Sequence, residues 1–174
     1  MKILIIGQLG AGKSSLAYAI NKKYGLPRLN LDEVHRIKGG GYRAEEDQFC
    51  ILNDFLNNNS SWVMEGCQKM LYEKVKSDLI VDMRISRLLA IWRFTVRFLK
   101  AKKLIGKDIP PDLPVQAYHY RKVTLFKILD WDSANKEINQ QIADFLKNTE
   151  IPVLKCKVFK DYQKIFDYIE KFSS

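Results

Sequence analysis

The chain has 174 residues, 47% of them hydrophobic, and a formal net charge of +9. This length suits one domain with a sizeable core, and the longest apolar stretch, 85–99, is interrupted by three arginines, which argues against a membrane span. The three cysteines are far apart and form no metal-ligand pair, so they suggest reduced thiols. We see no basic leader with an apolar core and a cleavage site, and expect a cytoplasmic protein.

The first twenty residues read as a strand, a glycine-rich loop and a helix. Residues 3–6 form a β-branched apolar run, which is typical of a buried parallel strand. Residues 7–14 match the phosphate-loop pattern G-x-x-x-x-G-K-[ST], and Leu16, Ala19 and Ile20 follow at helical spacing. The residues that we expect to hold a bound phosphate group are Gly7, Gly10, Ala11, Gly12, Lys13, Ser14 and Ser15.

The chemistry of this loop follows from its backbone. Glycines allow dihedral angles that direct main-chain N–H groups into one concavity, and the helix start adds its free N–H groups. Lys13 can then reach the β- and γ-phosphates of a triphosphate, while the Ser14 hydroxyl is placed to bind Mg²⁺. The alternative is a tight glycine-rich turn, which does not account for the Gly-Lys-Ser triplet.

Strands alternate with helices along the rest of the chain, which predicts an α/β fold with a parallel sheet covered on both faces. The predicted strands are residues 2–6, 28–31, 62–64, 79–83 and 152–156. The predicted helices are residues 13–24, 44–56, 86–103, 133–147 and 162–172. Ligands of such sheets bind at the carboxyl ends of the strands, so the residues that follow the strands are the candidates for function.

Asp32 and Glu65 are the acidic candidates at this edge. Asp32 could accept a proton from a substrate hydroxyl or bind the substrate, and its alternative role is an N-cap for the next turn. Glu65 could hold Mg²⁺ through water, and its alternative is a surface charge at a strand end. Asp82 is a rival for the metal, but it lies inside its strand rather than at the tip.

The positive charge is concentrated between residues 84 and 127, where 11 basic and two acidic side chains account for the net +9. Arg93 and Arg97 share a helical face, and a proline-containing loop at 104–114 follows, so this segment could be a cover whose cations clamp phosphates. It could instead bind a nucleic acid backbone, although no nucleic-acid-binding motif is present, or be a solvated basic face. A switch GTPase is set aside because the sequence at 135–138, Asn-Lys-Glu-Ile, lacks the final aspartate of Asn-Lys-x-Asp.

Three motifs resemble the small P-loop kinase family: the glycine loop, the Leu31-Asp32-x-x-His35 turn and the segment Trp62-Val63-Met64-Glu65-Gly66. Within that family the chain is most similar to bacterial adenylate-kinase-related proteins labelled "DNA topology modulation protein". The similarity covers nearly the whole chain, including the helix with Ile91-Trp92-Arg93. The label itself implies an alternative function, a nucleotide-dependent regulator associated with DNA.

The resemblance implies one P-loop kinase domain over residues 1–174, with a sheet in the order 2-3-1-4-5 and residues 100–130 as a helical lid. It also implies ATP and Mg²⁺ as cofactors, a small-molecule phosphate acceptor, and a monomer or homodimer without a membrane partner. Asp32 matches a substrate-binding acid, Glu65 and Gly66 match an Asp-Gly pair, and Lys157 would border adenine. Residues 67–69, Cys-Gln-Lys, lack the arginine that nucleotide kinases place there.

Overall fold

A five-stranded parallel sheet forms the centre of the protein, in a computed structural model that describes residues 1–37, 41–101, 131–157 and 161–173. The strand order is β2-β3-β1-β4-β5, which confirms the order 2-3-1-4-5. Every pair of neighbouring strands runs parallel, so all five carboxyl ends lie at one edge. The strands are β1 (Lys2–Gly7), β2 (Arg28–Asn30), β3 (Trp62–Glu65), β4 (Leu79–Met83) and β5 (Val153–Cys156).

Helices cover both faces of the sheet, which makes the three-layer arrangement expected from the sequence. Alternate residues of β1 enter different cores: Ile3 and Ile5 lie in one, and Leu4 and Ile6 in the other. All four are fully buried, and each contributes about 1.5–3 kcal/mol to the free energy of unfolding. The helices are α1 (Lys13–Tyr24), α2 (Leu31–His35), α3 (Glu45–Asn58), α4 (Lys69–Tyr72), α5 (Arg87–Ala101), α6 (Trp131–Lys147) and α7 (Asp161–Ser173).

Two of the predicted boundaries are wrong in ways that bear on the site. The second strand was expected to run to Leu31 but ends at Asn30, whose side chain accepts hydrogen bonds from the N–H groups of Asp32 (2.9 Å) and Glu33 (3.3 Å). Asn30 is therefore the N-cap of α2, and Asp32 lies in its first turn. The third strand extends one residue further than expected because Glu65 pairs with both neighbouring strands.

Two further helical segments differ from the sequence-based expectation. Helix α4 was not predicted, since four residues give too little periodicity to detect. Helix α6 begins at Trp131, two residues before the expected start.

Residues 102–130, which include nearly all of the lid expected at 100–130, lie outside the described residues, so the lid stays a prediction. No helix in the described ranges is both long enough and apolar enough to span a membrane.

Candidate active site

The loop between β1 and α1 takes its shape from glycines with positive φ angles. Gly7, Gly10 and Gly12 have φ angles of 144°, 78° and 99°. At Gly7 the space is also closed, since a Cβ atom there would lie 2.1 Å from the carbonyl oxygen of Met83. Glycine is thus required where the loop leaves β1, beside the neighbouring strand β4.

The amides of the loop are bonded within the protein at several positions, whereas those of the first turn of α1 have no helical acceptor. The Gln8 N–H donates to the Met83 carbonyl at 3.0 Å, which fixes the loop to β4. Within α1, the Leu16 N–H donates to the Gly12 carbonyl at 3.0 Å. The N–H groups of residues 12–15 precede this first helical bond and have no acceptor within the helix, so they are available to an anion. Residues 7–15 thus form one glycine-rich loop that runs into the start of α1, and their role in binding phosphate stays a prediction.

Lys13 lies inside the loop, with 7% of its surface exposed. Its Nζ atom donates to the carbonyl oxygens of Gly7 (3.2 Å) and Gln8 (3.1 Å). Burial lowers the pKa of Lys13, but the nearby Cys67, Asp32 and Glu65 side chains outweigh burial and raise it above its usual 10.5. The side chain therefore keeps its positive charge at neutral pH beside the helix N-terminus.

Glu65 ends β3 at the same edge and is 1% exposed, so it is not a surface charge at a strand end. Among the described residues, its Oε1 atom has no hydrogen-bond partner. Burial first, and then the Asp32 carboxylate, raise the pKa of Glu65 to about 7, while Lys13 and the Ser14 hydroxyl oppose this rise. A buried carboxylate oxygen with no partner is costly, and a cation or a proton would satisfy it.

Asp32 approaches Glu65 across the turn that follows β3. Its Oδ1 atom accepts hydrogen bonds from the Cys67 N–H (3.3 Å) and from Nε2 of Gln68 (3.5 Å). The turn passes so close to α2 that a Cβ atom on Gly66 would lie 2.8 Å from Cβ of Leu31. Gly66 therefore allows β3 and α2 to bring the two carboxylates to one site, and the expected pairing of Glu65 with a glycine has a steric reason.

Cys67 belongs to this site, which the sequence did not indicate. Its Sγ atom lies 3.4 Å from the Gly7 carbonyl oxygen, and its thiol is a hydrogen-bonding neighbour of Lys13. Burial raises the pKa of Cys67, so the thiol stays protonated at neutral pH despite the nearby ammonium. The sequence pattern could not predict this contact, because Cys67 and Gly7 are 60 residues apart.

Arg93 reaches the loop from α5. Its Nη1 atom donates to the carbonyl oxygens of Gly10 (3.1 Å) and Ala11 (2.8 Å). The guanidinium therefore contacts the glycine loop itself, and the expected contact of Arg93 with phosphates stays a prediction. Arg97 lies one turn further along α5, but its side chain is not among those described, and its role stays a prediction.

Two other arginines of the basic segment are engaged within the protein. Nε of Arg84 contacts both carboxylate oxygens of Asp82, at 2.8 and 2.9 Å, and Nη1 of Arg84 donates to Oδ1 of Asn139. Arg87 pairs with Asp132 at 2.9 Å. Because Arg84 occupies the Asp82 carboxylate, Asp82 is a weaker candidate for a metal than Glu65.

Lys157 follows β5 at the same edge of the sheet. Its backbone N–H donates to Oδ2 of Asp161 at 2.8 Å, and its side chain is exposed. Residues 158–160, directly after it, lie outside the described residues. The expected contact of Lys157 with adenine therefore stays a prediction.

No model of a protein family matches the chain. Over 190 residues it is 24% identical to an adenylate kinase from Wigglesworthia glossinidia brevipalpis, and the alignment covers 94% of this chain and 85% of that protein. A deoxyadenosine kinase from M. mycoides with bound dATP superposes with a TM-score of 0.54 at 18% identity, covering all of both chains. Its structure with dCMP and dCDP gives a TM-score of 0.55 and covers 98% of this chain and all of that one. The chain therefore has the P-loop NTPase fold.

Proposed function

We propose that this protein is an ATP-dependent phosphotransferase of the small P-loop kinase type, which transfers the γ-phosphoryl group of ATP to a small molecule. The observation that carries the proposal is that the buried Lys13 and Glu65 side chains meet the half-buried Asp32 beside the glycine loop. The similarity to an adenylate kinase and to a deoxyadenosine kinase supports an acceptor of the nucleoside or nucleotide class.

In this proposal the N–H groups of residues 12–15 and the Lys13 ammonium bind the β- and γ-phosphates of ATP. Phosphoryl transfer depends mostly on positioning and on stabilising charge, which fixed N–H groups and an ammonium supply. Arg93 holds the loop through the Gly10 and Ala11 carbonyls, and we assign the clamping of the phosphates to Arg97 and to a movement of Arg93.

The residues present fit a magnesium ion. The unpartnered Oε1 of Glu65 and the neighbouring Ser14 hydroxyl are oxygen donors of the kind that Mg²⁺ prefers. Within the described ranges, no three His, Cys, Asp or Glu side chains form a metal cluster, which suits an ion held largely by phosphate and water. When bound, the ion would neutralise phosphate charge.

Asp32 is the group proposed to orient the acceptor. Its Oδ1 atom is held by Cys67 and Gln68, which fixes the direction of the carboxylate. Oδ2 can then accept a hydrogen bond, and finally the proton, from an acceptor hydroxyl. The neutral Gln68 amide beside Asp32 favours a hydroxyl acceptor over an anionic one.

A DNA-associated regulator is the alternative that the sequence left open. Nothing among the described residues specifically favours it, since Arg84, Arg87 and Arg93 all contact groups of the protein itself. We therefore keep phosphoryl transfer as the proposed function.

The test is release of ADP from ATP and Mg²⁺ with a panel of nucleosides, nucleoside monophosphates and small hydroxy acids. Lys13→Ala should reduce acceptor-dependent release by about a hundredfold or more, because the buried ammonium is lost. Lys22→Ala is the matched control, since Lys22 is exposed on the same helix. Asp32→Asn should keep ATP binding and lose turnover. Full activity in Lys13→Ala would refute the assignment.

A further inference from the structure

Helix α6 buries three residues of its face that are spaced one turn and then two turns apart. Trp131, Asn135 and Ile142 are 7%, 2% and 1% exposed, so this face is buried. Trp131 belongs to the same core cluster as Ala11 of the loop, and Ile142 belongs to the cluster on the other face of the sheet. A polar Asn135 between these apolar residues is unusual, because burying an amide is costly unless its polar atoms are bonded.

Both polar ends of the Asn135 side chain are satisfied. Oδ1 accepts a hydrogen bond from the Leu9 N–H of the phosphate loop at 2.9 Å, and Nδ2 donates to the Trp131 carbonyl at 2.9 Å. The Leu9 N–H can only donate and the Trp131 carbonyl can only accept, so the orientation of the amide is determined. Trp131 thereby holds the side chain with its oxygen directed at the loop.

We propose that Asn135 is a positioning residue for the phosphate loop: its amide holds Leu9 in the conformation that binds nucleotide phosphates, without touching the nucleotide. The loop contains three glycines with positive φ angles, so it has much conformational freedom to lose when a ligand binds. A contact that restricts the loop before binding raises affinity by reducing this cost. The inference rests on the proposed function in one respect, namely that the loop is the site where the nucleotide binds.

Nucleotide affinity is the first measurement. Calorimetry with a non-hydrolysable ATP analogue and Mg²⁺ should give a Kd about tenfold higher for Asn135→Ala than for the unaltered protein. In steady-state assays the KM for ATP should rise in parallel, while the KM for the acceptor stays within about twofold, because Asp32 is anchored elsewhere.

Asn139→Ala is the matched control. Asn139 lies one turn further along α6 and bonds Arg84 rather than the loop. Loss of its amide should lower thermal stability without changing the Kd of the nucleotide. An equal rise in Kd for both variants would show a general effect of α6 and overturn the proposal. If Asn135→Ala does not fold, Asn135→Ser gives a smaller perturbation of the same bond.

Hydrogen exchange at the Leu9 amide is the second measurement, and it requires no activity. Leu9 should exchange at least about tenfold faster in Asn135→Ala, while Gln8, bonded to Met83, should be unaffected. An unprotected Leu9 amide in the unaltered protein would overturn the proposal. If that protein fails to bind ATP but Leu9 is protected through Asn135, the proposed function fails and the loop contact stands.

Discussion

At the scale of single residues, Glu65 has a carboxylate in a place where charge is costly. It ends a strand at 1% exposure, and its Oε1 atom has no partner among the described residues. A structural core position would hold an apolar side chain or a bonded amide instead. The protein tolerates the cost beside the Lys13 ammonium, which lowers it, and a bound cation would lower it further.

The Glu65 carboxyl should make the stability of the metal-free protein depend on pH. Its pKa is about 7 in the folded protein against 4.5 for the exposed group, so the folded state holds the proton more tightly. The free energy of unfolding should therefore fall by roughly 2–4 kcal/mol as the pH rises from about 4.5 to 7. Urea unfolding in EDTA, without nucleotide, measures this change.

Glu65→Gln isolates this contribution because it removes the titrating group and keeps the shape. In this variant the free energy of unfolding should lack the fall of roughly 2–4 kcal/mol between about pH 4.5 and 7. Glu46→Gln, at an exposed position, should keep the pH dependence of the unaltered protein. Identical pH profiles for all three proteins would mean that Glu65 does not carry the effect.

At the scale of elements, the short helix α2 places the Asp32 carboxylate. Helix α2 has five residues and too few internal bonds to be stable alone, so its start depends on the cap. Asn30 supplies that cap at the end of β2, and it is 5% exposed. The position of Asp32, two residues later, is therefore set by the cap and by the close approach of Gly66.

Removing the cap should affect both stability and the acceptor site. Asn30→Ala should lower the free energy of unfolding by about 1 kcal/mol, because two N–H groups of α2 lose their acceptor. Since Asp32 shifts with α2, the KM for the acceptor should rise more than the KM for ATP. Asn30→Ser keeps an uncharged oxygen acceptor and should restore most of the stability. Unchanged KM values in Asn30→Ala would show that the cap does not control the position of Asp32 in the site.

At the scale of the whole molecule, the net charge of +9 arises from the segment 84–127. Among the described residues of this segment, three arginines bond groups of the protein itself: Arg84 bonds Asp82, Arg87 pairs with Asp132 at the surface, and Arg93 bonds the loop carbonyls. Part of this charge is therefore compensated within the fold rather than presented as a continuous basic surface.

Binding to DNA should consequently be weak and not sequence-specific. Fluorescence anisotropy with a labelled duplex should show binding only at low salt, with affinity lost by about 150 mM, since few phosphates are neutralised. Affinity that persists at this salt concentration would support the alternative function. The same titration with ATP and Mg²⁺ present tests whether a nucleotide alters the result.

The sequence alone predicted the glycine-rich loop between β1 and α1 and the order of strands and helices along the chain. Both depend on neighbouring residues: the loop on glycines at fixed spacing before Lys13, and the strands on apolar runs such as residues 3–6. The carboxyl-edge rule also placed Asp32 and Glu65 at the site, because parallel strands end together. Only the resemblance to small P-loop kinases supplied the sheet order, which local patterns do not contain.

The tertiary structure decided which side chains meet. Cys67 lies against Gly7 across 60 residues, Arg93 bonds Gly10 across 83, and Asn135 bonds Leu9 across 126. Such contacts depend on how helices pack on the sheet. The hydrophobic pattern of one segment does not predict which distant segment it will contact. The burial of Glu65, whose Oε1 atom has no partner among the described residues, has the same origin: its environment comes from strands and helices distant in the chain.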